Sequence, residues 1–114
     1  MQSTEHLHEL LESKGYSVVK EWNHLYVSTS DGRFLAEVVL EGRRLVVERL
    51  EAWEESKKLL EQLKKLVDEG ARDEILVSKT GLKLSASVLE EIGFMDMGDY
   101  YGYYKSGSET LIPL

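Results

Sequence analysis

Residues 52–69, AWEESKKLLEQLKKLVDE, constrain the fold more than any other stretch. Trp53, Ser56, Leu60, Leu63 and Val67 recur at helical spacing, and Leu59 and Leu66 widen the stripe. The segment therefore reads as an amphipathic helix with one face to bury. Glu54 and Lys58, and Glu61 and Lys65, stand four apart in the favourable order on the wet side. Gly70 ends the helix. Glu74–Ser78 follows, apolar without alternation, and predicts a strand buried on both faces in the middle of a sheet.

The chain before this helix alternates like β-structure. Leu7, Leu10 and Leu11, behind the capping candidates Ser3 and Thr4, predict a first helix over 4–14 with Gly15 as its stop. Strands are expected over 16–22 and 25–29, with Asn23 and His24 turning the chain between them. Ser30-Asp31-Gly32-Arg33 predicts a tight hairpin, because glycine accepts positive φ. Strands 34–40 and 44–50 flank the turn Glu41-Gly42-Arg43. After the buried strand, Ser85 caps a short helix over 86–92, with Leu84 and Leu89 as a hydrophobic staple and Gly93 as its stop. Phe94 and Met95 open a last strand region that continues over 100–105. Ser106-Gly107-Ser108 reads as a flexible link, and 111–114 as an edge strand or loose tail. One α+β domain over 1–114 is expected, with a mostly antiparallel sheet flanked by one long and two short helices.

Composition narrows the function classes. The chain has no cysteine, which excludes disulfides and thiolate metal sites and suits the cytoplasm. The formal net charge of −7 repels phosphate backbones, so no nucleic-acid partner is expected. No apolar run approaches a membrane span, and the N-terminus lacks the form of a signal peptide, so no membrane partner is expected either. A single asparagine, Asn23, amid abundant Glu, Lys, Leu and Val matches thermophile usage. His6, His8 and His24 do not share a face at ligand spacing, and no metal site is expected.

Three stretches, LYVSTSDGRFLAEVVLEG, RRLVVERLEAWEESKKLLEQLKKLVDEGARDEILVS and SVLEEIGFMDMGDYYGYYK, together resemble the acyl-CoA N-acyltransferase (GNAT) superfamily in order and pattern. The resemblance implies a hairpin, a central strand, a cofactor helix, a following strand, a last helix ending in Gly-Phe and an aromatic closing strand. It covers about three quarters of the chain and rests mainly on the order of elements. The family's catalytic positions are altered. Where the resemblance implies a glycine-rich loop cradling the pyrophosphate of CoA, the chain has Leu50-Glu51-Ala52-Trp53-Glu54-Glu55-Ser56-Lys57. Its carboxylates compete with a phosphate for the helix-start amides. The family's general-acid tyrosine corresponds to Leu89, and the asparagine near the cofactor falls in Gly81-Leu82-Lys83.

The expectation is therefore a non-catalytic, GNAT-like protein-binding module without a cofactor, of the kind a virus or mobile element carries. Its predicted contact surface joins Glu51, Trp53 and Glu54 to Tyr100, Tyr101, Tyr103 and Tyr104. The partner is another protein or a second copy of the chain. In the tyrosine run, Tyr100 and Tyr104 share a face with Gly102, and Tyr101 and Tyr103 share the other. Trp53 is expected as a core anchor rather than an exposed one. The alternative is a divergent N-acyltransferase with acyl-CoA as donor. There Glu48 or Glu37 is the base and Tyr101 or Tyr103 the acid, with Leu50, Glu51, Trp53, Glu54, Glu55 and Ser56 against the cofactor. For Glu37 and Glu48 the structural reading is pairing with Arg44 or Arg49 across strands. A virion or assembly component, whose tyrosine strand extends a neighbour's sheet, is a further reading.

Overall fold

The computed structural model describes residues 4–105. Helix α1 (Thr4–Ser13) leads into strands β1 (Ser17–Glu21), β2 (His24–Ser28), β3 (Phe34–Glu41) and β4 (Arg44–Leu50). Helix α2 (Glu54–Asp68) and strand β5 (Glu74–Ser78) follow, then a single 3-10 turn (Lys79–Gly81). Helix α3 (Ala86–Glu91) and strands β6 (Met95–Asp96) and β7 (Tyr100–Tyr104) complete the described chain. The capping role given to Ser3 and the link and tail read over 106–114 lie outside the described residues.

The seven strands form one sheet in the order β1-β2-β3-β4-β5-β7-β6. Every neighbouring pair is antiparallel except β4 and β5, which α2 joins as a parallel crossover. This α+β architecture with a mostly antiparallel sheet agrees with the sequence reading. The helices run to 10, 15 and 6 residues, and the 3-10 turn after β5 carries no sequence signal that predicts it. The last strand region divides into a hairpin instead of one strand. Gly98, at φ 94°, turns the chain between β6 and β7.

One apolar layer holds the sheet and helices together. Leu7 and Leu11 of α1, Leu59, Leu60, Leu63 and Val67 of α2, and Leu89 of α3 meet Val27, Val38, Leu45, Val47, Ile75 and Val77 in a single buried cluster. Burying each such side chain contributes roughly 1.5–3 kcal/mol. Ser85 caps α3 by accepting from the Ser87 N–H at 3.1 Å, and partly buried Leu84 packs against the core cluster to which Leu89 belongs.

The second face of the sheet carries no helix among the described residues. On β5, Ile75 and Val77 are buried on the helix side, whereas on the second face Leu76 is half-buried and Ser78 is buried. The unbroken apolar run predicts burial on both faces in the middle of the sheet; the central position is as expected, and the second face is buried at Ser78 but only in part at Leu76. On the second face the register lines up Val39, Val46, Leu76, Gly102 and Met95 in one row across five strands. Glu41, Arg44, Glu74 and Tyr104 form the next row, with Arg44 Nε 2.6 Å from Glu74 Oε2.

Two more details differ from the sequence reading. The β1–β2 turn is Trp22-Asn23, one residue earlier than expected, and His24 already belongs to β2. The expected Glu54–Lys58 and Glu61–Lys65 pairs do not close. Glu55 instead reaches Arg33 at 3.4 Å. Fixing two long exposed side chains costs about what such a pair returns.

Candidate functional site

β4–β5 is the one parallel pair among the described strands, and in open sheets with parallel strands ligands bind in a crevice outside the strands' carboxyl ends. Here the register between the two strands runs from Arg44 and Glu74 to Val47 and Val77. Beyond that point β4 bulges. Val38 faces Val47 and Glu37 faces Arg49, which leaves Glu48 as the extra residue. The chain leaving β5 then turns back into the widening gap. Gly81 lies against β4 so closely that a Cβ there would overlap the Glu48 carbonyl oxygen and stand 3.1 Å from Arg49 Cα. Leu82 bridges Leu50 in parallel, and the Lys83 N–H donates to the Leu50 carbonyl at 2.9 Å. The gap is filled by the protein's own backbone.

The start of α2 adds a second obstacle to an anionic ligand. Trp53 caps the helix with extended backbone (φ −103°, ψ 156°) and makes no side-chain capping bond. The Ser56 and Lys57 amides both donate to the Trp53 carbonyl, and the Glu51 amide donates to Leu35. The first turn, whose amides every helix leaves open, carries the acidic residues Glu54 and Glu55, with Glu51 just ahead of it. Lys83 Nζ approaches Glu51 at 3.5 Å. Ser56 is fully buried, and its hydroxyl has no hydrogen-bond partner among the described residues.

Trp53 corrects the sequence reading. It was expected on the buried stripe of α2, yet it is 42% exposed. The helix begins at Glu54, so the extended cap residue leaves the helical stripe. Its ring lies under the Arg33 guanidinium, 4.6 Å from centroid to Cζ.

The four tyrosines divide between layers. Tyr101 is buried on the helix side, with Lys79 Nζ 4.8 Å from its ring centroid. Tyr103 packs against Phe94, and its hydroxyl donates to Asp68 at 2.6 Å. Tyr100 and Tyr104 lie on the second face, opposite Ser78 and Glu74. Tyr100 therefore sits at the α2-start end of the sheet, with Glu51 and Glu54, whereas Tyr103 and Tyr104 sit at the other end. Glu37 also lies on the second face, 15% exposed, between His24 Nδ1 at 2.8 Å and Arg49 Nε at 3.1 Å. It is the centre of a cross-strand network.

Glu48 has a different setting. With Ser78, Lys79, Thr80, Asp99 and Tyr100 it lines an open depression of about 440 Å³. The Ser78 and Thr80 hydroxyls bond each other at 2.9 Å. Lys79 is held by Asp96 at 2.7 Å, which raises the lysine's pKa and lowers the aspartate's. Spacing alone could not show that Glu48, Ser78 and Tyr100 converge, because three strands and a bulge bring them together.

Phenol ionisation provides a test of this packing. Burial first, then Glu55, raises the Tyr16 pKa above 10.0. Burial first, then Glu74, does the same for Tyr104. A raised phenol pKa means that the folded state favours the neutral form. The contribution is complete below pH 10 and is lost as pH rises through the higher folded values. Stability is thus expected to hold up to about pH 10 and to fall above it, in step with phenolate absorbance. Loss of stability before any phenol titrates would contradict this packing.

Among the described residues no three His, Asp or Glu side chains gather to hold a metal ion, and no helix is long and apolar enough to cross a membrane. No protein-family model matches the chain, and no curated protein matches it.

Proposed function

We propose that the domain is a non-catalytic, GNAT-like module that works in the cytoplasm by binding another protein. The observation that carries this reading is the plugged gap beside β4. Residues 79–83 take the place that an acyl-CoA arm would need, and the Leu50 carbonyl is already bonded. The carboxylates at the α2 start oppose a diphosphate as well. The order of elements supports the kinship, with a long helix crossing between parallel neighbours and a short helix preceding a closing aromatic hairpin. The second face, which no described helix covers and which leaves Met95 exposed and Leu76, Tyr100 and Tyr104 half-buried, supports a binding role.

Thermal unfolding with CoA and acyl-CoAs tests the first half. A donor at a hundredfold excess over its dissociation constant would stabilise by about 2.7 kcal/mol. The expected shift is nil, and a reproducible rise in Tm would end the non-catalytic reading. Capture from an extract of the source cells, identified by mass spectrometry, tests the second half. Nothing retained above a shuffled-sequence control would remove the binding role.

A second reading has one observation in its favour. Glu48 stands on a bulge and faces an open depression with Tyr100 and two hydroxyls, an arrangement in which a carboxylate accepts a proton from an amine. This is the divergent N-acyltransferase, with Glu48 as base and acyl-CoA bound by other groups. The same thermal shift decides between the two.

A further inference from the structure

The hairpin joining β1 and β2 carries the largest apolar exposure among the described residues. Trp22 is 91% exposed, and Val19 on the adjoining strand is 60% exposed. Trp22 also adopts a left-handed φ of 57°. Glycine or asparagine fills that region at lower cost, so the turn by itself gives no reason for an indole. Strain of this kind, held in place by a fold, marks positions kept for another purpose.

The indole stands beside a shallow depression of about 390 Å³ lined by Glu21, Trp22, Asn23, His24 and Tyr26. The His24 and Tyr26 rings stack at 6.2 Å, and Glu21 is the cross-strand neighbour of His24. Burial first, then Glu37 and Glu21, raises the Tyr26 phenol pKa, while Arg49 offsets part of this. The depression is walled by the Trp22, His24 and Tyr26 rings beside the Glu21 carboxylate.

The chain's other tryptophan indicates what this site lacks. Trp53 lies under the Arg33 guanidinium at 4.6 Å, and Arg33 Nη1 is 3.4 Å from Glu55 Oε1. Ring, guanidinium and carboxylate form a closed set of three. Trp22 and Glu21 repeat the ring and the carboxylate, but among the described residues no cation covers Trp22. We propose that a partner protein supplies the missing member: the hairpin tip receives an arginine side chain, its guanidinium lying over Trp22 and donating to the Glu21 carboxylate. Arginine fits better than lysine because its planar, weakly hydrated head stacks on a ring while its edge bonds a carboxylate. The net charge of −7 steers basic surfaces toward the chain. That the arginine belongs to a protein rests on the binding role proposed above; the site itself does not.

The test titrates the whole chain with a blocked Gly-Arg-Gly peptide, its lysine counterpart and its citrulline counterpart, following both indole N–H resonances by NMR. The Trp22 resonance is expected to move saturably with a dissociation constant on the order of millimolar, while Trp53 stays still. Citrulline, which keeps the shape and lacks the charge, is expected to bind at least about tenfold more weakly. Glu21→Gln is expected to weaken arginine binding about fivefold. Trp22→Gly, which suits the turn, is expected to fold with a Tm no lower and to remove the response of the Glu21 and His24 amides. No movement, equal binding of the lysine or citrulline peptide, or a response that survives Trp22→Gly would overturn the proposal. Capture of a partner unaffected by Trp22→Gly removes this site and leaves the binding role. A positive titration with no protein captured does the reverse.

Discussion

Gly81→Ala is expected to cost about 3 kcal/mol and to lower Tm by roughly 10 °C. The added Cβ would overlap the Glu48 carbonyl oxygen and crowd Arg49 Cα and Cγ at 3.1 Å. These are backbone and near-backbone atoms of a strand in the middle of the sheet, which cannot move aside as a flexible side-chain tip can. The 79–83 segment must lift instead. It would lose the Lys83 N–H bond to Leu50 and the Leu50–Leu82 bridge, and would pull on the Lys79 N–H bond to Asp99. Amide exchange locates the damage: Lys83 is expected to lose protection, while Val47 and Ile75 keep theirs. The same variant separates the two obstacles to a CoA-like ligand. With the plug displaced, the carboxylates at the α2 start remain, so CoA is still expected to give no thermal shift. A Gly81→Ala protein as stable as the parent, with Lys83 still protected, would mean that the gap is not closed by this segment.

The sequence carries most of this fold and less of its sites. Periodicity locates α2 and β5, and the turn residues locate the β2–β3 and β3–β4 hairpins, because those signals depend only on neighbours along the chain. It misses the plug. Gly81 sits in Thr80-Gly81-Leu82, which looks like any loop glycine, and its close approach to Glu48 comes from a strand more than thirty residues earlier. Trp53 misleads because an apolar residue one place outside a helix still matches the helical stripe on paper. Trp22 is legible only in part. Its placement at the end of an alternating run is visible, but its left-handed backbone depends on a two-residue turn that most sequences fill with Asn or Gly. Cross-strand pairs behave similarly. Glu37 and Arg49 could be named as partners from the strand pattern, whereas His24 joins them through a third strand.

Leu63→Ala is expected to cost about 3 kcal/mol, and Leu76→Ala about 1 kcal/mol. The two changes delete the same atoms at positions that sequence pattern treats alike. Leu63 lies at the middle of the α2 stripe, fully buried, in one cluster with Leu45, Val47, Ile75 and Val77. Removing its side chain leaves a cavity between a helix and a sheet that are both held by many other contacts, so the site collapses little and the loss is near the middle of the Leu→Ala range. Leu76 lies on the second face in the row of Val39, Val46 and Gly102, half-buried, with solvent able to fill the space it vacates. The difference between the two values, read from chemical unfolding at constant m, therefore measures whether the sheet is covered on one face or on both. Equal losses would mean that something packs over the second face in the isolated protein. In that event Leu76, which lies between buried Val46 and buried Gly102, would belong to the core as they do, and it could no longer be offered to a partner.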